Sequence, residues 1–160
     1  MSKVRVAIIC GGRSSEHEIS CISASGVFEA IDRSAFEPVL IGITKSGNWI
    51  SLSGVNSFLP GDDGLPSVPE KDSELQISNA GIFNNKGQDL GIQLAFPVLH
   101  GAYGEDGTIQ GLFEMAGIPY VGSGVLASSV AMDKTFAKPI YADFGLKVAD
   151  GFTVHEREWR

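Results

Sequence analysis

Basic clusters, long apolar runs and metal-type cysteine spacings are all missing from this 160-residue chain, and each absence removes a class of function. Lys and Arg number 12 against 19 Asp and Glu, a net charge of −7, and no Lys/Arg cluster offsets it. A nucleic-acid or anionic-membrane surface is therefore disfavoured, and the partner is expected to be a small molecule. No apolar stretch approaches the roughly 20 residues that cross a bilayer, and no basic start leads into an apolar leader segment. The chain is expected to be soluble and cytoplasmic. Its 2 cysteines, Cys10 and Cys21, show neither CxxC spacing nor a cysteine-rich frame, which fits buried thiols in a reducing compartment. Together with His17 and His100 they lack ligand-type spacing, so a protein-only zinc site is not supported. There is no internal repeat, no low-complexity tract and no GxGxxG fingerprint, because Ser14 and Ser15 stand where the later glycines would be.

What is present is 43% hydrophobic content and 20 glycines, suited to one α/β domain with a real core. An apolar run from Val4 to Cys10 stops at Gly11-Gly12-Arg13, after which Ser14 to Ser20 opens a helix. A buried strand feeding through a glycine turn into a helix gathers polar side chains and free backbone N–H groups at one sheet edge, where α/β proteins bind small ligands. The helix is predicted from Glu16 to Ile31, with Ile19, Ile22, Gly26, Val27, Ala30 and Ile31 as its buried stripe. A second strand, Glu37 to Ile43, turns at Lys45-Ser46-Gly47-Asn48 into a hairpin partner, Trp49 to Leu52. Residues 53–91 read as a polar surface insertion holding one hairpin, Leu75 to Ile77 against Gly81 to Phe83. A core strand (Ile92 to Leu99), a helix (Thr108 to Ala116), a short strand (Tyr120-Val121) and a short helix (Val125 to Met132) follow.

Three segments carry candidate chemistry. In the first, Ser15-Glu16-His17-Glu18 fits a capping box, Ser15 and Glu18 bonding each other's N–H groups, which makes Glu18 structural. Glu16, placed at the first helical position, has no such task; it either partners the helix dipole or contacts a ligand. In the second, Leu99-His100-Gly101-Ala102-Tyr103-Gly104-Glu105-Asp106-Gly107-Thr108, glycines permit tight backbone geometry and Asp106 or Thr108 can cap the next helix. His100 ends a strand at the same edge as Glu16, which favours a role beyond a satisfied loop histidine. In the third, Asp133 caps a new helix and leaves Lys134 in its first turn. A cation there suggests a compensating anion such as phosphate, or a solvated surface lysine. Pro139, about six residues in, predicts a break or kink near Lys138.

The order and spacing of Gly11 to Ser20, Leu99 to Gly111, and Gly122-Ser123-Gly124 through Met132-Asp133-Lys134 resemble the D-alanine:D-alanine ligase family over essentially all of the chain outside the insertion. Ala102, where a proline is common, and Pro139, in a usually uninterrupted helix, depart from the family pattern. The resemblance implies a three-layer, mostly parallel Rossmann-like (pre-ATP-grasp) α/β sheet with an inserted hairpin region. It implies an enzyme that joins two D-alanines through an acyl phosphate, using ATP with magnesium or manganese, for peptidoglycan precursors. Glu16 then corresponds to the acid that orients the first D-alanine near its ammonium group, His100 to a histidine beside that amino acid, Ile19 to an apolar wall, and Lys134 to a lysine reaching ATP phosphates. A homodimer is also implied.

Residues 1–132 are expected to form the N-terminal ligase domain, with its variable insertion at about 53–91. Residues 133–160 are expected to form a connecting helix and the start of the ATP-grasp domain. Family members are roughly twice as long, so the metal ligands and most nucleotide contacts are expected outside this chain, which alone should not turn over. Two other readings stay open: a non-catalytic dimerisation or amino-acid-binding module, and the N-terminal domain of another ATP-grasp enzyme.

Overall fold

The computed structural model describes residues 2–158, except for the side chain of residue 156. Strand β1 (Val4–Gly11) leads into helix α1 (His17–Ala30), and strand β2 (Phe36–Ile43) turns back as β3 (Trp49–Leu52). Within the insertion lie two two-residue strands, β4 (Leu59–Pro60) and β5 (Pro66–Ser67), and a hairpin of β6 (Leu75–Ser78) and β7 (Gly81–Asn84). Strand β8 (Leu94–Pro97) and helices α2 (Thr108–Ala116), α3 (Val125–Met132) and α4 (Lys134–Asp143) complete the regular elements.

The main sheet has the order β3-β2-β1-β8. β1 runs parallel to β2 and to β8, while β2 and β3 pair antiparallel. Alternation along β1 divides the core into two layers. Val6, Ile8 and Cys10 meet Cys21 and Ala24 of α1 on one face, and Ala7 and Ile9 join Ile109, Phe113 and Ala116 of α2 on the other. The expected three-layer, mostly parallel sheet is therefore present.

The buried stripe of α1 differs from the expected one. His17, Ser20, Cys21 and Ala24 face the sheet, with Val27, Phe28 and Ile31 packed beside them, whereas Ile19 and Ile22 are 47% and 44% exposed. Hydropathy alone favoured the isoleucines; the polar His17 and Ser20 can be buried because each is hydrogen-bonded inside. The insertion is also less peripheral than its composition suggests. Val68 packs on the α1 side of the sheet, and Leu75 and Ile82 pack on the α2 side, so it straps both layers.

The strand expected from Ile92 to Leu99 is shorter, at Leu94–Pro97, and the Tyr120-Val121 strand reduces to one parallel bridge between Ala95 and Tyr120. α4 runs through Pro139 to Asp143 rather than ending near Lys138. Its start is capped by Asp133, which accepts from the Thr135 N–H, and Lys138 Nζ donates to the Ala149 carbonyl. No described helix is long and apolar enough to cross a membrane.

Candidate functional site

The carboxyl ends of β1 and β8 lie side by side, and a buried hydroxyl locks them together. Ser20 Oγ accepts from the Gly11 N–H (2.9 Å) and donates to the Val98 carbonyl (2.6 Å). Beyond it, Gly11 and Gly12 take φ of 84° and 98°, a left-handed turn that glycine enters without Cβ strain. His17 fixes this turn. Its Nδ1–H donates to the Gly12 carbonyl at 2.7 Å, while Nε2 accepts from the Val68 N–H at 3.1 Å, which makes the fully buried ring the neutral Nδ1–H tautomer. Behind it, the hydrogen bond to Cys21 and burial push the Cys10 thiol above its ordinary pKa.

The capping box does not form. Glu16 occupies the N-cap of α1 without a side-chain cap bond, and Ser14 rather than Ser15 supplies the local hydroxyl. Glu18 instead turns to Lys45, with 2.5 Å between Oε1 and Nζ. The lysine's hydrogen bond outweighs burial and holds Glu18 below the usual carboxylate range. A lysine 27 positions downstream on the β2–β3 turn thus competes successfully with the local cap.

With Glu18 withdrawn, Glu16 and His100 are joined through one side chain. Ser14 Oγ accepts from the Glu16 N–H (3.2 Å) and donates to the His100 carbonyl (2.7 Å). The Glu16 carboxylate lies where a Cβ on Gly101 would stand, so only glycine at 101, itself at φ 71°, allows the approach. His100 Nε2 pairs with Ser23 Oγ at 3.0 Å, two turns along α1. Downstream, Glu105 accepts from the Gly101 N–H (2.7 Å), and Gln110 Nε2 donates to the Gly104 carbonyl (3.0 Å). Burial raises Asp106, but bonds from the Tyr103 N–H and from Thr108 outweigh it and keep the carboxylate ionised below its ordinary range. Asp106 thereby anchors the first turn of α2 from the position before the Gly107 N-cap.

His100 also borders a hollow of ≈ 560 Å³ between the β8 exit, the 100–105 loop and α3. Lys134 lines it as well, while Glu16 lies outside its lining. Lys134 Nζ donates to the Ala131 carbonyl at 3.2 Å, a favourable placement at the C-terminal end of α3 that accounts locally for a cation in this position. Lys134 is otherwise solvent-exposed, and Ser123 and Ser128 line the hollow as well. Ile19 lies three residues beyond Glu16 on α1, exposed and free to contact a ligand. Among the described residues no cluster of three or more His, Cys, Asp or Glu side chains could hold a metal.

Sequence reasoning singled out Glu16, His100 and Lys134 as candidates and did not single out the serines around the first two, Ser14, Ser20 and Ser23. Their polarity within a helix start was the available signal, since a serine facing the sheet needs an internal partner.

Residues 5–123 match the family model described as the D-ala D-ala ligase N-terminus. The chain is 48% identical over 159 aligned residues to the D-alanine–D-alanine ligase of Mycolicibacterium smegmatis, covering 92% of this chain and 43% of that protein. Among solved structures, the VanG D-Ala:D-Ser ligase of Enterococcus faecalis superposes with a TM-score of 0.77 at 37% identity, over 93% of this chain and 44% of that one. The Bacillus anthracis D-alanine–D-alanine ligase complexed with ATP gives a TM-score of 0.59 at 28% identity, over 92% and 38%. This chain thus spans less than half the length of the curated relatives it matches.

Proposed function

The chain belongs to the D-alanine–D-alanine ligase N-terminal family, and on that premise we propose that it supplies the first-amino-acid half of an ATP-dependent ligase that joins two D-alanines for peptidoglycan precursors. Residues 1–132 are its N-terminal domain and residues 133–160 lead toward the ATP-grasp portion. The observation that supports this reading is the Ser14 bridge, which ties the main chain of Glu16 to that of His100 at one sheet edge.

The Glu16 carboxylate pairs with the ammonium of the first D-alanine and orients it, Ile19 walls the methyl side, and His100 flanks the same amino acid. In the reaction the substrate carboxylate takes the terminal phosphoryl group of ATP, and the amine of the second D-alanine displaces phosphate from the acyl carbon. Lys134 offsets charge on the transferring phosphate oxygens. Magnesium or manganese, held by residues outside this chain, supplies further charge neutralisation. The working protein is a cytoplasmic homodimer.

The test is ADP release with ATP, magnesium and D-alanine. The complete ligase carrying this segment turns over in a D-alanine-dependent manner, and the 160-residue chain alone does not. D-alanine-independent ATP hydrolysis by the complete protein would overturn the reading.

A further inference from the structure

Ser23 has a single hydrogen-bond partner among the described residues, the Nε2 of His100 at 3.0 Å. Its neighbour Ser25 follows the ordinary habit of a helical serine and donates to the carbonyl four residues back, Cys21, at 2.9 Å. Ser23 forgoes that bond and reaches across to the loop after β8. The direction of the contact follows from proton counting. Were Nε2–H the donor, the hydroxyl proton of this part-buried serine would be left without a protein acceptor. With the hydroxyl donating, its proton is used, Nε2 is an acceptor and the ring proton moves to Nδ1, which has no protein partner among the described residues. The His100 carbonyl is held separately by Ser14, so the residue is gripped at both main chain and ring.

We propose that Ser23 is a positioning residue that holds His100 as its Nδ1–H tautomer and so presents an N–H donor to the carboxylate of the first amino acid. This rests on the subsite reading above and deepens it. A zwitterionic amino acid offers an ammonium and a carboxylate, and the two residues whose main chains Ser14 ties together then offer complementary side chains, an acceptor at Glu16 and a donor at His100. Without the serine hydroxyl the ring relaxes toward the Nε2–H tautomer that histidine side chains favour in water, and Nδ1 becomes an acceptor that repels the carboxylate.

The test uses two substitutions and two readouts. In the ¹⁵N-labelled chain at neutral pH, long-range ¹H–¹⁵N correlations give His100 the Nδ1–H pattern. Ser23→Ala shifts it toward Nε2–H, and Ser23→Thr, which keeps the hydroxyl, restores it. Amide spectra report that α1 stays folded throughout. In the complete ligase, Ser23→Ala raises the KM for the first D-alanine roughly three- to tenfold, the range for one lost neutral hydrogen bond. The KM for ATP is unchanged, and Ser23→Thr recovers most of the loss. An unchanged ring pattern in Ser23→Ala overturns the proposal. So does an unchanged KM in Ser23→Ala when His100→Ala raises it. If His100→Ala itself leaves D-alanine dependence intact, the subsite reading falls, and the role of Ser23 with it.

Discussion

Substituting alanine at Gly11 and at Gly12 separates two physical effects that adjoin in the chain. Both residues have left-handed φ, 84° and 98°, where a Cβ costs about 1–2 kcal/mol of backbone strain. They differ in surroundings. A Cβ on Gly12 would meet nothing closer than Leu99 Cδ2 at 3.5 Å, an ordinary contact. A Cβ on Gly11 would overlap the Ile43 carbonyl and crowd Val68 Cγ2 at 2.8 Å and His17 Cε1 at 2.9 Å. That carbonyl accepts from the Gly12 N–H at 2.8 Å and so cannot withdraw without losing the bond. Overpacking a fixed site adds about 1–3 kcal/mol. Gly12→Ala is therefore expected to cost about 1–2 kcal/mol, and Gly11→Ala roughly 2–5 kcal/mol, from strain and crowding together. Urea unfolding followed by circular dichroism measures both. Equal losses, or a greater loss in Gly12→Ala, would show that the packing of His17 and Val68 around the turn is not as described.

Two further perturbations probe the scaffold. Phe113→Ala removes a fully buried ring from the α2 layer, where it lies 5.8 Å from the Tyr120 ring centroid. A loss of about 3–5 kcal/mol is expected on urea unfolding, and a loss below about 1 kcal/mol, the level of ordinary surface changes, would contradict the core assignment. The Glu18–Lys45 pair gives a pH signature. Because Lys45 lowers the folded-state pKa of Glu18, its stabilisation is complete above the unfolded carboxylate value, about 4.3, and is lost as pH falls through the lower folded value. The stability gap between the native chain and Lys45→Met should therefore shrink below about pH 4, and a gap constant from pH 7 to pH 3 would contradict the pairing.

Legibility in the sequence tracked the range of the interactions involved. Helices α2 and α3 matched their predicted limits, because glycines or capping groups mark their ends within a few residues. The hairpin of β2 and β3 was equally readable from the turn at Lys45 to Asn48. The buried face of α1 was not, because period and hydropathy chose Ile19 and Ile22, while His17 and Ser20 are admitted to the interior by partners 51 and 78 residues away. The capping box failed for the same reason, since Lys45 lies outside any local window. In the site, Glu16 and His100 were visible as residue types in the segments that follow β1 and β8. The serines that fix their geometry bond across 77 and 86 positions of sequence, and only the folded chain reveals them.

The account stands or falls on Glu16 as the acid that receives the first D-alanine. Steady-state ADP release by the complete ligase with Glu16→Gln, titrated separately in D-alanine and in ATP, measures this directly. Removing the charge while keeping the shape should raise the KM for the first D-alanine about tenfold or more, as expected for a charge-assisted contact, with the KM for ATP unaltered. D-alanine dependence identical to the native enzyme would contradict it.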